Sequence, residues 1–258
     1  MSTAPLYPFT LSLTREIADF PIGNILLLDH RRRVISTAAV KVNPDEWPEN
    51  REAPVLFTLE LNVIQNAWFE MDDVVGYLNS GKNTLVDADG NALAWEGDEA
   101  DTTNAFVAKK SYQIRYPWEL LRANEQFISS LTQREIAGEV HPFAVIEGTV
   151  HIGQGTRILP GVFIEGNVII GKNCKIGPNC YIRGNTSIGD NCHIGQSVEI
   201  KNCLILSNTN VGHLSYIGDS VLGEKVNRGA GTTTSNLRHD GKNHRTMVDG
   251  ILLDTGRL

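Results

Sequence analysis

The segment NVGHLSYIGD, residues 210–219, carries one histidine, His213, with no second histidine or acid beside it. Imidazole titrates closer to neutrality than any other side chain. His213 is therefore suited to taking a proton from a nucleophile, to ligating a metal, or to filling a core. Upstream, Arg183 and Lys201 lie 18 residues apart, while Glu199 sits two residues from Lys201 and Tyr216 three from His213. Two cations held side by side suit a phosphate, which accepts hydrogen bonds from both. The Tyr216 hydroxyl serves equally to bind a polar ligand or to pack. His239 and His244 are five residues apart with no acid at helical spacing. No cysteine pair has the two-residue gap of a zinc site, so no metal is expected.

The elements that position these side chains follow from a repeat. Ile146, Ile152, Ile158, Ile164, Ile170, Ile176, Ile182, Ile188, Ile194 and Ile200 are ten isoleucines at an unbroken interval of six. Three places after these residues run Gly155, Gly161, Asn167, Asn173, Asn179, Asn185 and Asn191, the two residue types that best tolerate a left-handed corner. Four places after them stand small or β-branched residues, from Val150 and Thr156 to Val198. Three columns with one period predict a solenoid of hexapeptide repeats, each a short strand and a corner, three to a triangular coil. Residues 18 apart then stack at the parallel-strand spacing of about 4.8 Å. Past Ile200 the count slips twice by one residue, giving Ile205, Val211, Ile217, Leu222 and then Arg228. After GAGTTTSN the rhythm is lost in LRHDGKNHRTMVDG, read as a loop leaving the solenoid. Cys174, Cys180 and Cys192 fall in the small interior column and are expected to be buried, reduced thiols.

This register aims the chemistry. His213 comes two places after the inward Val211, in a column that elsewhere holds Gly148, Gln154, Pro160, Lys172, Asp190 and Asn202. That column faces outward, which disfavours a core histidine. Arg183 and Lys201 share the outward column one place after the isoleucine, above Glu147 and Glu165. The same columns fit a solvated histidine and a surface charge ladder in which Glu165 pairs Arg183.

Of the 258 residues, 41% are hydrophobic and 21% charged, and no apolar run approaches the roughly 20 residues of a membrane span. The first residues lack the basic start and apolar block of an export signal, so a cytoplasmic protein is expected. Residues 1–140 hold 12 Lys and Arg against 21 Asp and Glu; residues 141–258 hold 11 against 9, with six of the seven histidines. The second part can attract a small anion, and the net charge of −7 argues against nucleic acid. Residues 1–115 read as a small α+β domain, with a hairpin about Asp-Gly in NTLVDADGNALAW and a strand-rich APVLFTLELNVI. Trp47, Trp68, Trp95 and Trp118 are read as packing residues. A helix over 118–137, with Pro117 at its start, connects this domain to the solenoid. The expected organisation is an N-terminal domain over 1–115, a connecting segment over 116–140 and a β-helix over 141–258.

At VEIKN and at VGHLSYIGDSVLGEKVNRGAGTTTSN, the chain resembles the acetyltransferase half of the bifunctional glucosamine-1-phosphate N-acetyltransferase / N-acetylglucosamine-1-phosphate uridyltransferases, over residues 140–246. The resemblance implies a mainly β fold built on a left-handed parallel β-helix. It further implies a homotrimer with active sites between solenoids, and acetyl transfer from acetyl-CoA, as co-substrate, to the amine of glucosamine 1-phosphate in UDP-N-acetylglucosamine synthesis. Carried over by position, it makes His213 the general base and Glu199 the residue that orients it. Arg183 and Lys201 would hold the sugar phosphate, and Tyr216 and Asn227 would contact the sugar. Ala230 and Asn236 would approach acetyl-CoA. Lys242 is a further substrate contact, across a loop whose spacing after Asn236 differs from the family's.

The chain also departs from that family. The Gly-rich start and the Arg-Pro-Lys-type signature of the uridyltransferase half are missing, so no uridyl transfer is expected and residues 1–115 resemble a shortened remnant. Arg228 stands where the register wants an aliphatic residue; a buried guanidinium without a partner costs several kcal/mol, so it must find an acid or bend the coil. The family continues past the position of Leu258 with coils that complete the acetyl-CoA site, which implies a truncated form or weakened coenzyme binding. The expected function is an acetyl-CoA-dependent N-acetyltransferase of an amino-sugar phosphate. The competing expectation is a non-catalytic sugar-phosphate-binding or assembly subunit.

Overall fold

The computed structural model describes residues 19–42, 61–234 and 237–257. Trp47, Asn236 and most of APVLFTLELNVI lie outside the described residues. The chain divides into two compact units, Met1–Phe20 with Ile25–Arg115, and Pro21–Asn24 with Tyr116–Leu258. Among the described residues there are three helices, none long and apolar enough to cross a membrane.

The first unit holds α1 (Leu27–Val42) and α2 (Met71–Asn79) beside a four-stranded sheet in the order Leu61–Val63, Ala92–Glu96, Thr84–Val86 and Phe106–Val107. The Asp-Gly hairpin is present: Asp87 closes it by accepting the backbone N–H groups of Asp89 at 3.0 Å and Asn91 at 2.8 Å. Such an Asx turn lets a short polar side chain replace a ladder bond. The core is Val34, Ile35, Phe69, Val74, Tyr77, Leu85 and Leu93. Asp73 is buried but fully used, accepting from the N–H groups of Lys109, Lys110 and Ser111 and from the Ser111 hydroxyl. Despite burial, these bonds hold its carboxyl below the usual range.

The second unit is a parallel β-solenoid with three faces. The first face stacks Glu139–Val140, Arg157–Ile158, Lys175–Ile176, the start of His193–Lys201, the start of Asn210–Gly218, and Asn227–Arg228. The second stacks Val145–Glu147, Phe163–Glu165, Tyr181–Arg183 and the ends of the same two long strands. The third stacks Glu135–Ile136, Val150–Ile152, Val168–Ile170, Thr186–Ile188, Leu204–Ile205 and Val221–Leu222. The isoleucine and small-residue columns fill one shared interior, which includes Ile164, Ile182, Ile200, Val198 and all four cysteines. The interior is alike in every coil because residues of one column meet only their own kind above and below.

The register follows the sequence count closely. Ile182 pairs with Ile200, 18 residues on, but Ile188 pairs with Ile205 and Ile205 with Leu222, each 17 on. The two slips are thus the short corners after Lys201 and after Gly218. Cys192 N–H points at Cys174 Sγ at 3.4 Å, so these thiols do stack, and burial pushes the Cys180 and Cys203 thiols to about 12.

Three expectations need correction. The helix, α3, spans Pro117–Ser129 rather than 118–137. Tyr116 and Glu119 form its capping box, and Ser130 Oγ closes its end on the Phe127 carbonyl at 2.6 Å. Glu135 and Ile136 are already the first rung of the third face, where pairing with His151 and Ile152 outweighs continuing the helix. α3 lies along that face. Its buried Asn124 accepts from Ser187 Oγ at 2.7 Å and Gly23 N–H at 3.1 Å, and donates to the Asn185 carbonyl at 3.2 Å. Arg228 does pair with Val211 in the inward column, yet it is exposed. Among the described residues no further rung stacks on it, so the guanidinium reaches solvent without burial or a bent coil. Finally, the presumed loop after GAGTTTSN contains an antiparallel hairpin, Arg245–Val248 with Ile251–Asp254.

Candidate active site

His213 belongs to the nine-residue strand Asn210–Gly218, which bends at Leu214 from the first face to the second. The corner column beneath Leu214 holds Gly161, Asn179 and Ser197, all with positive φ, and Leu214 shares that conformation at φ 38°. With the corner so made, Val211 and Ser215 point inward and His213 outward, exposed. The Ser215 hydroxyl donates to the His213 carbonyl at 2.7 Å, tying the chain on either side of the bend. Gln196 lies below His213 in register. In the next coil the Gly231 N–H donates to the Leu214 carbonyl at 2.9 Å, which sets Ala230 level with His213.

Around the corner, on the second face, Arg183 and Lys201 are direct register neighbours, as their spacing implies. Each is held by an acid. Glu199 Oε1 accepts from Arg183 Nε and from a terminal guanidinium nitrogen, both at 2.8 Å, and Lys201 Nζ lies 3.0 Å from Asp219 Oδ2. Arg183 does not pair with Glu165, which instead accepts the Tyr181 hydroxyl, raising the Tyr181 pKa. Glu199 sits between Tyr181 and Tyr216 in the aromatic column. Its carboxylate is engaged by Arg183, two residues short of the His213 corner.

The remaining candidates are spread over later coils. Asn227 is exposed, above Asn210 on the first face, and Ala230 is exposed near the same corner. Lys242 is exposed in the loop before the hairpin, its N–H on Asp240 Oδ1 at 3.2 Å. The register brings Arg183, Lys201, Glu199 and Tyr216 onto one face and His213 to its edge; it does not bring Lys242 into that ladder.

Two residues of the site escaped sequence reasoning. Asp219 anchors Lys201, and the available signal was an acid in a corner column that otherwise reads Gly166, Gly184 and Asn202. His193 is the other. It lies in the first-face ladder above Lys175, where burial and then the charges of Lys175 and His213 hold its pKa below the ordinary value. A cavity of about 270 Å³ lies behind Asp219, walled by α3, Val221, Thr234 and the residues flanking the hairpin, His244, Thr255 and Arg257. His213, Arg183 and Lys201 do not line it, so their chemistry belongs to an open face. Among the described residues, no group of three or more His, Cys, Asp or Glu side chains is placed to hold a metal.

Residues 164–246 match the family described as GMPPB C-terminal domain. The chain is also 45% identical over 218 residues to the bifunctional protein GlmU of Methanococcus aeolicus, an alignment covering 84% of this chain and 50% of that protein. The chain thus spans about half the length of the curated relative it matches. The match includes the coils that carry His213, Arg183 and Lys201. The chain is similar to a bifunctional GlmU protein, and the match at residues 164–246 fits the acetyltransferase half of such a protein.

Proposed function

We propose that the protein is an acetyl-CoA-dependent N-acetyltransferase of an amino-sugar phosphate, glucosamine 1-phosphate foremost, acting in nucleotide-sugar biosynthesis. The observation that carries this reading is an outward imidazole one corner away from two stacked cations.

An ammonium group has no lone pair to attack with, so transfer requires a base. In this reading His213 accepts the amine proton as nitrogen attacks the thioester carbonyl, and the coenzyme thiolate then leaves. A positioned base of this kind contributes about 10²- to 10⁴-fold. Arg183 and Lys201 hold the phosphate, and Tyr216 and Asn227 meet the sugar. Lys242 reaches the substrate from its loop, and Ala230 with Asn236 faces the acetyl donor. Fixing the sugar in this way converts part of the barrier into binding already accomplished. Glu199 acts first on Arg183, and on the imidazole only through the shared face. An open face, rather than a closed pocket, suits a site completed by a neighbouring solenoid, and a homotrimer is part of the proposal. No uridyl transfer is included.

The test is coenzyme A release from acetyl-CoA with glucosamine 1-phosphate, glucosamine 6-phosphate and glucosamine as acceptors. Activity confined to the phosphorylated amine supports the reading, and none with any acceptor sinks it. A second reading, a sugar-phosphate-binding subunit without transfer, draws on the acids already engaging both cations. Calorimetry separates the two, since heat from the sugar phosphate but none from acetyl-CoA favours the subunit.

A further inference from the structure

We infer that Asp219 is a positioning residue for Lys201, holding the ammonium in place as a phosphate contact before the ligand arrives. The inference rests on the function proposed above and deepens it.

The two cations look equivalent by register but are held differently. Asp219 sits in a corner at φ 45°, above Asn202 at φ 50° and Gly184 at φ 69°. Its N–H donates to the Lys201 carbonyl at 2.9 Å, and its Oδ2 receives Lys201 Nζ at 3.0 Å. Its other oxygen, Oδ1, accepts Asn202 Nδ2 at 3.2 Å, and Asn202 Oδ1 in turn accepts the Asn185 N–H at 3.0 Å. The acid is therefore fastened to two successive corners through backbone and side chain alike, and only 13% of its side chain is exposed. Glu199 is different. It rides on a strand, contacts Arg183 through Oε1, and is 34% exposed.

Lysine is a flexible four-carbon stem bearing a point charge, and immobilising it on binding a ligand costs rotamer entropy. A carboxylate anchored as Asp219 is bears that cost before the ligand arrives. One contact leaves the ammonium two further N–H donors for a phosphate. Gly218 stands opposite Lys201 in the next rung. Removing the acid would also strengthen the local positive field, which acts in the opposite direction. At partly exposed groups that field is screened, so loss of placement is expected to outweigh it.

The variant Asp219→Asn keeps an oxygen for Asn202 and a residue type that tolerates positive φ, while removing the charge that holds Lys201. KM for glucosamine 1-phosphate is expected to rise about tenfold with kcat within about twofold. In Lys201→Ala, adding Asp219→Asn is expected to change nothing further, because the acid acts through the lysine. An unchanged or lowered KM in Asp219→Asn overturns the inference, as does a further loss of about tenfold in the double variant. If the wild-type protein fails to prefer the phosphorylated sugar, the proposed function itself falls and takes this inference with it. If that preference is present and survives Asp219→Asn in full, the inference alone is wrong.

Discussion

The coils before Lys201 and the coils after it are built from the same columns, yet they do different work. In the earlier coils the rungs repeat every 18 residues, and up to Ser197 the corners hold glycine or asparagine, for which positive φ is cheap. In the later coils the repeat is 17, and Leu214, Asp219 and Lys225 join Asn202 and Asn208 at the positive-φ corners. His213, Tyr216 and Asp219 all belong to this second region. The regular coils supply a stiff ladder, and the irregular ones spend part of that stability on placing side chains. Strain of this kind persists only where its surroundings over-determine it, here by the rungs beneath.

Changes to the exposed chemistry of the later coils should cost activity, and changes to the earlier interior should cost stability. The largest effect expected is that of His213→Ala. Coenzyme A release should fall by about 10²- to 10⁴-fold, the usual contribution of a base. The unfolding midpoint should stay where it is, because the ring is exposed. An unchanged rate would remove the base from the mechanism and leave the later coils without their distinguishing role. Next is Ile182→Ala. Ile182 is fully buried between Ile164 and Ile200, so truncation should cost about 2–5 kcal/mol in denaturant unfolding. A cost below about 1 kcal/mol would mean that the interior collapses around the gap and is less stiff than close packing implies.

The two regions were also unequally legible. The ten isoleucines announce the earlier coils because inward burial leaves a strict period, and Arg183 beside Lys201 follows from that period alone. The two slips could be followed because the small column survives through Ser215 and Val221. What the period could not supply is anything decided across rungs by competition. Glu165 looked like the partner of Arg183, but the Tyr181 hydroxyl engages it and Glu199 reaches the guanidinium instead. Arg228 was correctly placed in the inward column, but its burial depended on whether a further rung covers it. Ile136 and Glu135 satisfy a helix pattern and a first rung equally well, and only the pairing with Ile152 and His151 decides between them. The hairpin after Asn243 has no repeat to betray it.

Gly195→Ala probes the boundary between the regions. A methyl group there would overlap the Gly212 carbonyl oxygen, next to His213, and a backbone atom cannot swing aside as a side chain can. Overpacking of this kind costs about 1–3 kcal/mol. Because Gly212 must move, activity should fall alongside stability, unlike in Ile182→Ala. Equal activity in the folded fraction would show that the His213 corner is set by Leu214 and Ser215 and not by the rung below.

The smallest effect expected is a gain. Leu214 stands at φ 38° with 67% of its surface exposed, in a column where Gly161, Asn179 and Ser197 adopt the same conformation. An L-residue other than Gly, Asn or Asp gives up about 1–2 kcal/mol in this region, and the leucine recovers little of it by burial. Leu214→Asn, which copies Asn179, should therefore stabilise the solenoid by about 1 kcal/mol, or about 2–4 °C in midpoint. A loss of stability would mean that the leucine makes apolar contacts that its exposure conceals. If the gain appears and coenzyme A release is unchanged, the strain serves neither His213 nor the transfer. If the gain comes with slower transfer, the strained corner is part of what aims the imidazole, and the later coils have exchanged stability for placement.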